Sequence, residues 1–119
     1  MRKTSSTSRK SGDHIVYSVT VTLKPHIERK WLDWMMGKHI PAVLRTGYFT
    51  GYHLRKLVEP DGAEKGRTYN TEYYCKSITA LKTYLNEFAP ALRRDYKEKF
   101  GSQTKVAREV WKIVAKKGR

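Results

Sequence analysis

Five side chains of this sequence could do chemistry together: His39, Tyr17, Tyr73, Glu72 and Arg108. An imidazole takes or delivers a proton near neutral pH, a phenol donates one, a carboxylate orients or replaces the imidazole, and a guanidinium holds an oxyanion. If they converge in a cleft between the first helix and a sheet, they form an acid/base set. His39 also has a purely structural use, since an imidazole near a helix C-terminus can bond the last carbonyls and is favoured there by the helix dipole. No nucleophile with an evident base, glycine-rich phosphate loop or H-E-x-x-H pattern accompanies them. Cys75 is the lone cysteine, and the four histidines have neither C-x₂-C nor H-x₃₋₅-H spacing, so no disulfide, metal centre or cofactor is expected.

The charge makes a stronger statement. Against 11 Asp and Glu stand 25 Lys and Arg in 119 residues, a formal net charge of +14. That is well beyond what solubility requires, and it points to a polyanionic partner. More than half of it lies in the two ends of the chain. Clustered lysine and arginine are the footprint of phosphate binding, so the leading expectation is a non-enzymatic domain. It would bind nucleic acid, RNA before DNA and the ribosome among its targets, through Arg2, Lys3, Arg9, Lys10, Lys105, Lys112, Lys116, Lys117 and Arg119. The alternative is a homodimeric enzyme or small-molecule binder with a cleft near His39. Base-stacking recognition is not expected, because Lys65-Gly66 is followed by Arg67-Thr68-Tyr69-Asn70, which misses the first aromatic and the small residue of an RNA-recognition motif.

The elements that must position these residues read as β-α-β-β-α-β. Residues 1–13 hold no large apolar side chain after Met1 and are expected to be a flexible basic tail. Residues 14–23 are β-branched and aromatic without Lys, Arg, Asp or Glu, as in a central strand. Pro25 opens a helix in which Ile27, Trp31, Trp34 and Met35 share a face. Ile40 precedes Pro41 and is thereby biased out of the helical region, so this helix is expected to end near Lys38, with a short turn over 42–45. Strands follow at 48–58 and 67–76. Ser77 caps a helix carrying Leu81, Tyr84, Leu85 and Phe88, and Pro90 starts another with Leu92, Tyr96 and Phe100. A strand over 105–114 and a basic tail over 115–119 complete one domain, 14–114. A two-layer sandwich of this order leaves one sheet face without helices. Neither alternate set of the first strand is charged there, so a second copy of the chain is expected to cover that face.

WLDWMMGKHIPAVLRTGYFTG (31–51), TYNTEYY (68–74) and YLNEFAPALRRDYKEKFG (84–101) resemble a family of small bacterial domains of unknown function, related in fold to the dimeric α+β barrels. The resemblance spans roughly residues 15–114, and its most specific part is HIP-x-VL-x-TG. It implies a ferredoxin-like, dimeric domain. Tyr17, Thr20, His39, Pro41, Gly47, Gly51, Tyr69, Tyr73, Ala89, Pro90 and Arg108 stand at the positions the family pattern marks. It implies no reaction. Glu72 stands where a glutamine is expected, and the basic tails lie outside the family's span. No apolar run approaches the length of a membrane span, and an intracellular, cytoplasmic protein is expected.

Overall fold

The computed structural model describes residues 14–60 and 66–118. Strand β1 (Ile15–Leu23) leads through a short 3₁₀ turn (Pro25–Ile27) into helix α1 (Glu28–Trp34), a π-turn (Met35–His39) and helix α2 (Ile40–Arg45). Strands β2 (Phe49–Lys56) and β3 (Arg67–Cys75) follow. Helices α3 (Ile78–Glu87) and α4 (Ala89–Phe100) and strand β4 (Thr104–Lys112) close the domain. The antiparallel sheet has the order β2-β3-β1-β4. This is the ferredoxin-like α+β sandwich, with β1 central as its charge-free sequence requires.

Alternation along β1 divides its residues between two environments. Ile15, Tyr17, Val21 and Leu23 join Tyr69, Tyr73 and Cys75 of β3 in the core beneath the helices. Trp31, wholly buried, anchors α1 there and donates its indole N–H to the Tyr96 hydroxyl at 3.0 Å. Tyr96 passes its own proton to Thr104 Oγ1 at 3.0 Å, which donates to the Phe100 carbonyl at 3.0 Å. Helix α4 is thus tied at once to α1 and to the start of β4. At the other end of α1, Glu28 receives the Tyr69 phenol and pairs with Lys56 at 2.8 Å and Arg67 at 3.3 Å, fastening the helix layer to β2 and β3. Ser77 caps α3 as expected, its Oγ accepting from the Ala80 N–H at 3.1 Å. Gly47 takes φ 86°, a conformation side chains other than glycine's rarely allow, and turns α2 into β2.

One expectation fails in an informative way. The helix does not end before Pro41. Ile40 is helical (φ −61°, ψ −44°), and the chain passes from α1 to α2 without leaving helical geometry. Proline supplies no N–H and its ring crowds the carbonyl four residues back. The chain answers by widening, and the Ile40 N–H reaches back five residues to the Met35 carbonyl. His39 therefore lies inside a bent helix, not at its end, and caps nothing. β4 also stops two residues short of expectation, at Lys112, although the Ile113 N–H still bonds the His14 carbonyl at 2.9 Å.

Candidate functional site

The π-turn decides what His39 does. Hydrogen bonding to the fifth residue back superposes side chains five apart, and the imidazole of His39 stacks on the indole of Trp34 with centroids 5.2 Å apart and planes 22° apart. Tyr96 meets the same imidazole edge-on at 5.9 Å. From this seat His39 lines a cavity of ≈ 40 Å³ between the helices and the sheet. Tyr17 and Tyr73 form its floor from β1 and β3, and Arg108 borders it from β4. Four of the five chemistry-bearing residues thus share one space. Glu72 does not, because its neighbours in β3, Thr71 and Tyr73, take the helix-facing positions. It projects on the open face, bonded by the Tyr74 hydroxyl at 3.1 Å and paired with Arg55 at 3.3 Å. Two-residue alternation makes any set containing both Tyr73 and Glu72 impossible on one face.

Three further residues line this cavity that their sequence positions mark as packing or leave unremarked: Arg93, Tyr84 and Tyr96. Tyr84 and Tyr96 sit on the apolar stripes of α3 and α4, where an aromatic reads as core. Arg93 had a usable signal: it stands four residues after the buried Ala89 and three before the buried Tyr96, on the inward stripe of α4. Its guanidinium donates to the Tyr17 hydroxyl at 2.9 Å. Tyr17 in turn stacks near Tyr73 and meets Tyr84 edge-on, each at 6.1 Å between centroids.

Electrostatics set the protonation states. Burial pulls the His39 imidazole down to about 4, Arg108 adds to the effect and Asp95 opposes it, so the ring is neutral at neutral pH and offers a lone pair. Burial drives the Tyr73 phenol well above the usual range, and the neighbouring phenols of Tyr84 and Tyr17 push the same way. Burial likewise raises Tyr84, with Tyr17 reinforcing and Arg93 and Arg108 opposing. These phenols stay protonated and act as donors. Tyr73 and Tyr84 are each 3 % exposed, and neither hydroxyl has a hydrogen-bond partner among the described residues. No Asp or Glu among the described residues lines the cavity. Outside it, His39 and Leu92 also border a surface groove of ≈ 350 Å³ with Trp34, Lys38, Arg45 and Asp95, so cavity and groove share these two side chains.

The other candidates are dispersed. Lys105 pairs with Thr22 at one end of β4 and Lys112 with Ile15 at the other, about 23 Å apart at strand spacing, and on opposite faces. Lys112 lies close in sequence to the exposed Lys116 and Lys117. Arg2, Lys3, Arg9, Lys10 and Arg119, with the tail over 1–13, lie outside the described residues. Cys75 is fully buried, donates to the Ser77 carbonyl at 3.5 Å, and has its thiol pushed up by burial, which suits packing and not nucleophilic attack. No group of His, Cys, Asp and Glu among the described residues could hold a metal, and no described helix is long and apolar enough to cross a membrane.

The profile of the "Domain of unknown function (DUF4286)" matches residues 14–114. No curated protein matches the chain. Among solved structures, a hydroxynitrile lyase from Passiflora edulis is 16% identical, with 89% of this chain and 99% of that one covered and a TM-score of 0.61. SnoaB, a cofactor-independent oxygenase from Streptomyces nogalater, is 14% identical over 87% of this chain and 96% of its own, with a TM-score of 0.59. A hypothetical protein of Arabidopsis thaliana is 14% identical over 87% and 91%, with a TM-score of 0.63. At these identities the likeness is one of fold, that of the dimeric α+β barrels.

Proposed function

We propose that this chain, which belongs to the DUF4286 family, binds a small organic molecule in the cavity between its helices and sheet, with His39 as the proton acceptor of the site. What carries this is the convergence of a neutral, half-buried imidazole, phenol donors and two guanidiniums on one cavity lined by no described carboxylate. A lone pair on His39 can take a proton from an acidic O–H or C–H of a bound molecule. The electron pair stays on the molecule as an oxyanion, which Tyr17, Tyr73 and Arg108 are placed to hold. That one relative in fold is a cofactor-independent oxygenase and another a hydroxynitrile lyase supports small-molecule chemistry in this architecture, in the first case without a cofactor. Fold likeness names no reaction here. A nucleic-acid partner, expected from the charge of +14, draws no support from these likenesses.

As it stands the cavity has room for little more than a water molecule or two, so a ligand enters by displacing a wall. His39 and Leu92 are the side chains whose movement would join cavity and surface groove. The functional unit is a homodimer, the second copy lying on the sheet face opposite the helices, where Trp111 is 56 % exposed. Screening a library of small aromatic acids, phenols and their neutral analogues by the His39 imidazole resonances in NMR tests the proposal. Compounds that shift His39 and lose their effect in Tyr73→Phe support it; a library that leaves His39 unmoved overturns it.

A further inference from the structure

We infer that the molecule the cavity accepts carries an oxyanion, of the carboxylate or phenolate kind, on an apolar aromatic body. The inference rests on the cavity being the binding site and adds the chemical class of what binds.

The hydrogen-bonding inventory of the cavity is weighted toward donors: against the His39 lone pair and the Thr71 hydroxyl stand three phenols and two guanidiniums. The hydroxyls of Tyr73 and Tyr84 are buried and have no acceptor among the described residues. The Tyr17 hydroxyl accepts from Arg93 and has its own proton to give. Tyr96 is already committed to Thr104 and is not available. Three phenolic donors therefore face a space whose walls, apart from His39, Thr71 and the two arginines, are mainly apolar, with Val19, Val21, Met35 and Val43 among them. Buried donors without acceptors are costly in a folded protein and are found where something else supplies the acceptor.

Charge narrows the acceptor further. Arg93 and Arg108 border the cavity, no described carboxylate pairs with either, and none lines the cavity. The field of Arg108 reaches His39, Tyr84 and Tyr96 alike, so it acts on the space these groups share. A neutral acceptor such as an amide carbonyl would satisfy the phenols and gain nothing further from the two guanidiniums, which are exposed and otherwise hydrated. An oxyanion gains from both, and charge-assisted bonds to it are the stronger kind. A cationic ligand is excluded on the same grounds. The apolar and aromatic walls require a body of matching character, flat enough to lie against the tyrosine rings.

Benzoate and its neutral isostere benzamide are the probes, titrated against the full chain at neutral pH with His39 and tyrosine resonances as the reporters of location. Benzoate should bind about tenfold or more tightly than benzamide, as loss of a charge-assisted bond predicts. The preference should fall to about threefold or less in Arg108→Gln and in Arg93→Gln, and be partly restored in Arg108→Lys. Arg94→Gln, one residue along α4 and outside the cavity, removes the same charge from the surface and should change nothing. Tyr73→Phe and Tyr84→Phe should weaken benzoate while melting no lower than the parent, which separates lost recognition from lost folding. Benzamide binding as tightly as benzoate, with His39 shifted by both, overturns the oxyanion and leaves the cavity as the site. Benzoate that is weakened as much by Arg94→Gln as by Arg108→Gln overturns it in favour of surface charge. If neither probe moves His39, while only neutral members of the aromatic library do, the oxyanion is wrong; if nothing moves it, the cavity falls too.

Discussion

The Arg93 guanidinium on α4 donates to the hydroxyl of Tyr17 on the central strand at 2.9 Å, and this bond orients a phenol that lines the cavity. Because the guanidinium occupies a lone pair of Tyr17, the hydroxyl proton is free to point at a ligand. Tyr17→Phe should cost ~1 kcal/mol at most, Arg93 being solvated, and should weaken any cavity ligand more than it weakens the fold. A double-mutant cycle with Arg93→Gln, read by denaturant midpoints and by ligand affinity separately, measures both. Coupling seen in affinity and not in stability identifies Tyr17 as a recognition residue; coupling confined to stability would make it a strut.

Glu28 is the structural counterpart, with its partners on β2 and β3. Lys56 and Tyr69, by their hydrogen bonds, hold its carboxyl below the usual range against the opposing effect of burial, while burial and the same bond push the Tyr69 phenol up to about 12. A carboxylate whose pKa is lowered in the folded state adds stability above its unfolded value, and that stability is lost as pH falls through the folded one. Glu28→Gln should therefore lower the melting temperature at pH 7 by about 4 °C or more, for a loss of ~1 kcal/mol, and the difference should shrink below pH 4. A variant equally destabilised at pH 3 and pH 7 would show that the carboxylate's charge is not what matters.

How far the sequence announced this site depends on which physical rule governs each residue. The charge-free run over 15–23 and its β-branched composition made β1 legible, and the Ser77 cap and Pro90 break were local signals that the structure honours. His39 could be named but not seated, because the proline rule read at Ile40-Pro41 omits the π-turn that a packed helix can adopt instead. Glu72 was misplaced although the needed rule was at hand, since strand alternation separates it from Tyr73. Tyr84 and Tyr96 were hidden for a different reason. A tyrosine on an apolar stripe looks the same whether its hydroxyl is bonded, as in Tyr96, or left facing a cavity, as in Tyr84, and only the fold distinguishes them.

The open sheet face predicts assembly. Trp111 and Ile113 stand on it beside Val16, and a solvated tryptophan at 56 % exposure next to such neighbours is unfavourable for a lone chain. Sedimentation at low micromolar concentration should give about twice 13.9 kDa, and Trp111→Glu should give the single mass with little change in secondary structure. A parent protein that sediments as one chain would sink the assembly.

The basic ends predict a behaviour independent of the cavity. Lys and Arg that contact phosphate release counterions, so log K for RNA falls with log[salt] by ~0.7 per contact on single strands. Removing residues 1–13 and replacing Lys116, Lys117 and Arg119 with Gln should lower that slope by roughly 2–4 units, without base preference, and leave aromatic-acid binding unchanged. RNA binding that is sequence-specific, or blocked by a cavity ligand, would restore nucleic acid as the main partner.

His39 gives the most direct reading of the site through pH. Its pKa falls from 6.5 to about 4 on folding, chiefly through burial against Trp34 and Tyr96. Between those values the unfolded chain binds a proton that the folded chain refuses, so stability rises with pH. The contribution is complete above about 6.5, is lost as pH falls, and is gone below about 4, with a slope of up to ~1.4 kcal/mol per pH unit for one proton. Asn cannot take up that proton. His39→Asn should therefore match or trail the parent at pH 7, yet lose less stability on going to pH 5, and the difference of the two denaturant curves isolates this one group from the carboxylates that titrate lower. A bound oxyanion favours the charged imidazole, so a cavity ligand should raise the His39 pKa and flatten the parent's slope. Parent and variant running parallel from pH 7 to pH 5 would mean that the imidazole is solvated and titrates normally, and then neither the neutral acceptor nor the dry cavity around it could stand.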